Sequence, residues 1–142
     1  QVILSTGAAK WDEILKLKSL PNLDKLVLLH CVSSYPCKPE NINIPRMFEL
    51  KKIVKMVGYS GHYPGIDDAI IAICNGAEFI EKHFTINKDL PGKDNKFSIL
   101  PEELKFLVDF KKNYLEMQKF KGLDLQDCEK DIFDNIRGRW NN

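Results

Sequence analysis

The chain has 142 residues, enough for one domain with a buried core, and carries 21 basic against 20 acidic side chains, a formal net charge of +1. That balance gives no bulk electrostatic reason to expect a nucleic-acid or membrane partner. No apolar run approaches the ~18 residues that span a bilayer, and no signal-peptide pattern is visible. The four cysteines (Cys31, Cys37, Cys74, Cys128) form no CxxC pair. We expect reduced thiols in a cytoplasmic protein, with Cys31 and Cys74 in buried apolar segments.

The sequence opens at Gln1 and runs at once into Val2-Ile3-Leu4. Domains rarely begin in mid-strand, so a piece of a longer protein is expected. Val2 to Ser5 reads as a first strand, ending at Thr6-Gly7. Lys10 to Lys18 follows with helical spacing of Trp11, Ile14, Leu15 and Leu17, broken at Pro21-Asn22. Lys25 to His30 is a second strand, apolar on both faces as a covered parallel strand should be. A loop with Pro36, Pro39 and Pro45 leads to a short helix over Met47 to Val54. Met56 to Ser60 is the third strand. Ile66 to Cys74 is a helix expected to bury Ile70, Ile71 and Ile73, stopped by Asn75-Gly76. Ala77 to His83 is the fourth strand, and a long loop with Pro91-Gly92 and Asp94 follows. Pro101-Glu102-Glu103 opens a final long helix to about Phe120, with Pro at its first position and acids facing the positive end of the helix dipole. Leu104, Leu107, Val108, Tyr114 and Leu115 are its packing candidates.

Alternating strands and helices predict an α/β fold with a parallel sheet. An open doubly wound sheet and part of a (β/α)8 barrel both fit. The placement of polar residues favours the barrel. They fall at the C-terminal end of every strand: Ser5, Ser33 to Tyr35, Ser60 with His62, and Glu81 with His83. A barrel carries its chemistry on that whole rim, an open sheet at one crevice. A complete barrel needs about 250 residues, and four βα units make half. Half a barrel has two bare edges and an uncovered inner face. The missing half is expected from residues ahead of Gln1 or from a second copy of the chain.

Gly58-Tyr59-Ser60-Gly61-His62 and Phe79-Ile80-Glu81-Lys82-His83 end alike. Residues i and i+2 of a strand share a face. Ser60 therefore points with His62, and Glu81 with His83. On neighbouring strands about 4.8 Å apart, the two imidazoles can meet over one metal ion, with a hydroxyl and a carboxylate beneath. Either histidine alone is more simply a polar strand-end residue; the repeated spacing favours metal ligands. His30, in an apolar run, reads as a core histidine.

The stretches ILSTG, HCVSSYP, GYSGH and EKHFT, then PGKD, occur in that order between Val2 and about Leu115. Together they resemble the sialic acid synthase (NeuB) family. The resemblance implies that residues 1–120 are the last four βα units of a (β/α)8 barrel, its C-terminal half. It implies condensation of phosphoenolpyruvate with N-acetylmannosamine or a related amino sugar, giving a nine-carbon 2-keto acid and phosphate. It further implies a manganese or other divalent ion on His62 and His83, and phosphoenolpyruvate contacts from Ser5, Ser33 and Ser60. Glu81 would be an acid near the metal and the enolpyruvate, Tyr35 a residue of the site mouth, and Asp94 a contact to the sugar. A homodimer of the complete protein is the implied assembly.

Three departures stand out. Gly61 replaces a usual aspartate, so some support for the rim should be lost. Ser33 replaces an asparagine of some relatives. The N-terminal half, with further phosphate-binding groups, is absent, so this chain alone should turn over little. Residues 121–142 read as a tail, a linker or subunit-contact patch, with Arg137 and Arg139 beside Trp140. Two rival readings remain open: another metal-dependent barrel aldolase or hydrolase, and a non-catalytic half-barrel that binds a partner.

Overall fold

The computed structural model describes residues 1–139; Trp140, part of the expected contact patch, lies outside them. Strands β1 (Val2–Ser5), β2 (Leu26–Cys31), β3 (Met56–Gly61) and β4 (Phe79–Lys82) form one parallel sheet in the order β1-β2-β3-β4. Helices α1 (Trp11–Leu15), α2 (Arg46–Leu50), α3 (Asp67–Cys74) and α4 (Pro101–Met117) follow the strands in turn, and a short α5 (Lys130–Asn135) lies in the tail. The sheet is half of a (β/α)8 barrel: each strand pairs only with the next, and every crossover carries helix.

Burial follows position in the sheet. Every residue of β2 is buried, and β3 nearly so, because both have neighbours on each side and helices behind. Leu28, Val57 and Tyr59 pack outward against Ile14, Met47 and Leu50 to make the main core. β1 is exposed throughout, with Val2 60% and Ile3 51% accessible, and β4 is only partly covered. These are the two bare edges that half a barrel must have.

Strand positions match the sequence expectation closely; helix details differ. α2 stops at Leu50, short of the β-branched Ile53 and Val54. α3 buries Asp68, Ala69, Ala72 and Ile73, and the two alanines let it lie close on the sheet. Ile71, expected inside, falls on the opposite side at 49% exposure, and Cys74 is exposed rather than buried. In α4, Glu103 Oε2 accepts from the Leu100 N–H at 2.8 Å and Pro101 opens the first turn, as the sequence predicted. Only Leu107 of that helix is buried. Leu104 and Val108 instead line an apolar groove of about 500 Å³ with Ile80, Phe84 and Ile99 along the free edge of β4.

Candidate functional site

Register places the site. Ser60 and Glu81 are partners across β3 and β4, and Ser60 Oγ donates to Glu81 Oε1 at 2.7 Å. This hydroxyl fixes the direction of the carboxylate. Both side chains lie on the inner face, so His62 and His83, two residues further along each strand, emerge beside one another with ring centroids 5.3 Å apart.

The surroundings of each ring set which nitrogen is free. His62 Nδ1 donates to the Val32 carbonyl at 2.9 Å, which leaves Nε2 as the nitrogen not engaged by that bond. The His62 carbonyl in turn accepts from Cys37 N–H at 2.9 Å, which pins the residue to the loop after β2. Asp94 Oδ2 lies 3.5 Å from His83 Nδ1, too long for a tight hydrogen bond but close enough to set a negative charge behind the ring. That placement depends on a fold-back of the loop after β4. Ile99 N–H donates to the His83 carbonyl at 2.8 Å, Thr85 N–H to the Ile99 carbonyl at 3.0 Å, and Ser98 Oγ to the Asp94 carbonyl at 2.8 Å. The same fold-back buries Phe97 against His83, 5.2 Å between ring centroids. Tyr35, half exposed, leans over His62 at 4.1 Å and over His83 at 6.0 Å.

The structure thus gathers His62, His83, Ser60, Glu81, Tyr35 and Asp94 at one mouth. Ser5 ends β1, and Ser33 follows β2, next to the Val32 carbonyl that holds His62. Ser33 Oγ rests on Gly7, where a Cβ would strike it. His30 behaves as a core histidine: it is fully buried, and its Nε2 donates to the Ile42 carbonyl at 2.7 Å. Its Nδ1 has no partner among the described residues, and burial lowers its pKa from the ordinary histidine value, more than the Ile42 hydrogen bond raises it.

The two imidazoles, side by side over a carboxylate–hydroxyl pair, could serve as ligands to a divalent metal. They provide two ligands only; among the described residues no cluster of three or more His, Cys, Asp or Glu side chains is assembled for a metal. The remaining positions would belong to water and substrate.

One feature of the site has no counterpart in the sequence reading. Behind the strands, Lys82 Nζ donates to Asp68 Oδ2 at 2.9 Å, Asp68 Oδ1 at 3.0 Å and the Tyr63 carbonyl at 2.7 Å. Tyr59 Oη donates to Asp68 Oδ2 at 3.0 Å. Burial lowers the pKa of Lys82, opposed by the Asp68 charge, and burial with that same charge raises the Tyr59 phenol. The place of a side chain at Gly61 is filled by this group: a Cβ there would collide with Asp68 Oδ2 and stand 2.5 Å from Tyr59 Cε1. Asp68 of α3 thus occupies the space that a side chain at position 61 would take. The sequence signal was Lys82 itself, a charge at an outward strand position where the layer is apolar and a buried partner is required.

Comparison with known proteins gives a consistent picture. The family profile described as the NeuB family matches residues 1–121. The N,N'-diacetyllegionaminic acid synthase of Campylobacter jejuni is 37% identical over 142 residues, covering 96% of this chain and 42% of that protein. The N-acetylneuraminate-9-phosphate synthase of Homo sapiens is 32% identical over 111 residues, covering 75% and 31%. In the crystal structure of N-acetylneuraminic acid (sialic acid) synthetase from Leptospira borgpetersenii in complex with citrate, the match has a TM-score of 0.73 at 34% identity over 97% of this chain and 50% of that one. The chain spans well under half the length of these curated relatives.

Proposed function

The chain belongs to the NeuB family, and from that premise we propose that its four βα units form the metal-bearing half of a nonulosonic acid synthase barrel. The substrates are phosphoenolpyruvate and the open-chain aldehyde of N-acetylmannosamine or a related amino sugar. The observation that supports this most directly is the arrangement of His62 and His83, 5.3 Å apart over the bonded Ser60–Glu81 pair at the mouth of adjoining strands.

In the reaction, C3 of phosphoenolpyruvate bonds to the aldehyde carbon. Water adds at C2, and the C–O bond to phosphate breaks, leaving a nine-carbon 2-keto acid and inorganic phosphate. His62 and His83 would hold manganese through their unprotonated nitrogens, and the ion would polarise the aldehyde oxygen. Glu81, aimed by Ser60, orients the water that attacks C2 and takes up its proton. Ser5 and Ser33 offer hydroxyl donors to the phosphate or carboxylate oxygens of phosphoenolpyruvate. Tyr35 covers the histidines and limits water access. Asp94, beside His83, accepts a hydrogen bond from the incoming sugar. The activity is proposed for the complete protein, in which the barrel wall is closed.

The test is phosphate release by the complete protein with phosphoenolpyruvate and an amino-sugar aldehyde, alone and together. Release should need both substrates and a divalent metal, and His83→Ala should abolish it. Full metal-dependent activity in that variant would overturn the metal assignment. Release from phosphoenolpyruvate alone, or turnover of another aldehyde pair, would overturn the reaction.

A further inference from the structure

We propose that Asp68 and Lys82 form a positioning pair, a buried link between α3 and β4 that fixes the ends of β3 and β4 and thereby the spacing of His62 and His83. The inference rests on the reading of those histidines as a metal site.

The connectivity carries it. Lys82 immediately precedes His83, and its register partner Gly61 immediately precedes His62. Lys82 Nζ also donates to the carbonyl of Tyr63, the residue directly after His62. One ammonium therefore joins the backbone on the far side of His62 to the residue beside His83. All three of its N–H donors are used, on Tyr63 and on both Asp68 oxygens. Asp68 is equally saturated, accepting also from Tyr59 Oη at 3.0 Å and from Ala69 N–H at 2.8 Å. With side chains 3% and 0% exposed, the pair cannot exchange partners with water. Gly61 belongs to the same device, since any side chain there would expel the carboxylate.

Stability alone is a poor reason for such a pair. Desolvation offsets most of the attraction between two buried charges, and neutral replacements of similar volume commonly fold as well. What a neutral pair cannot reproduce is a three-donor clamp with fixed directions. Nor does either group face the site: Lys82 and Tyr59 occupy the outer face of their strands, Glu81 and Ser60 the inner one. Asp68 and Lys82 thus act on the histidines through the backbone and do not touch substrate.

This separates two outcomes in one variant. The complete protein carrying Asp68→Asn together with Lys82→Met has no buried charge left unpaired, so it should fold with a melting temperature near that of the parent. If the pair positions the histidines, manganese should bind that variant roughly 10- to 100-fold more weakly, the range seen when the groups that orient metal ligands are removed. In the metal-free protein, the imidazole ¹⁵N resonances of His62 and His83 should shift and broaden as the two rings lose a single spacing. A variant with parental manganese affinity and unchanged imidazole spectra would overturn the inference. If the parent itself bound no manganese, the proposed function would fail, and the metal-free imidazole spectra would still decide whether the pair sets the two rings.

Discussion

His30 shows what one buried atom does to the pH response of the molecule. Its Nε2 is bonded to the Ile42 carbonyl and its Nδ1 is bare and without a partner among the described residues. Burial, with a smaller contribution from the Arg46 charge, holds its pKa below the ordinary value. The unfolded chain therefore binds a proton at His30 as pH falls through about 6.5, while the native state does not. The unfolded state binds more protons in that window, so this contribution is fully present above about 6.5 and is lost towards lower pH. Its slope is at most about 1.4 kcal/mol per pH unit. His30→Gln, which keeps a donor for Ile42, should flatten the acid limb by up to one proton. Urea denaturation of parent and variant between pH 5 and 7 measures the difference; parallel limbs would contradict the assignment. His30 was readable as a core residue because it sits in an apolar run. Asp68 was not readable in the same way. It follows another aspartate in the first turn of a helix, where acids are common on electrostatic grounds alone, and only the fold reveals that this one meets Lys82.

At the scale of the elements, β3 is the strand with the least freedom. Gly58 lies where its neighbours are already in contact: a Cβ there would come 2.5 Å from both Leu29 Cδ2 and the Phe79 carbonyl oxygen, the latter backbone of β4. Leu29 can rotate, but the Phe79 carbonyl can yield only if β4 moves. Gly58→Ala should therefore cost about 1–3 kcal/mol through overpacking, read as a lower midpoint in thermal or urea unfolding, and should disturb the Ser60–Glu81 bond two residues on. An unchanged midpoint would mean that β4 is free to shift. All four strands were legible in the sequence because apolar runs bounded by turn residues and capped by polar ones are strong signals. Helix faces were less so. Ile71 was assigned inward from its hydrophobicity, but α3 turns its small residues to the sheet, and close approach outweighs the burial of one more isoleucine. The polar rim was legible as a pattern: Ser60, His62, Glu81 and His83 followed from alternation alone. The fold-back that brings Asp94 and Phe97 to His83 was not, since loop geometry has no period to read.

At the scale of the whole molecule, the unsatisfied parts are the two edges. β1 exposes Val2, Ile3 and Leu4 and has backbone groups free on one side. β4 leaves an apolar groove shared with α4. Such edges favour pairing with other chains. The 142-residue chain by itself should self-associate in a concentration-dependent way in size-exclusion chromatography with light scattering, and Ile3→Lys should reduce that association. A monodisperse monomer at all concentrations would show that the edges are protected. A protein in which further strands cover both edges should not respond to dilution in this manner.

The simple strand order also bears on how the chain reaches its shape. Each strand is joined to its partner by a single βα unit, so every pairing closes a loop of modest size and its entropy cost is small. Contacts of low sequence separation form early and quickly. On a ribosome, each unit can dock on the previous one as it emerges, and the rim histidines come together as soon as β4 joins β3. In a barrel closed by further strands ahead of β1, β1 would meet its new neighbour through one more βα unit, and only β4 would pair across a long stretch of chain; that closure would be the slow step.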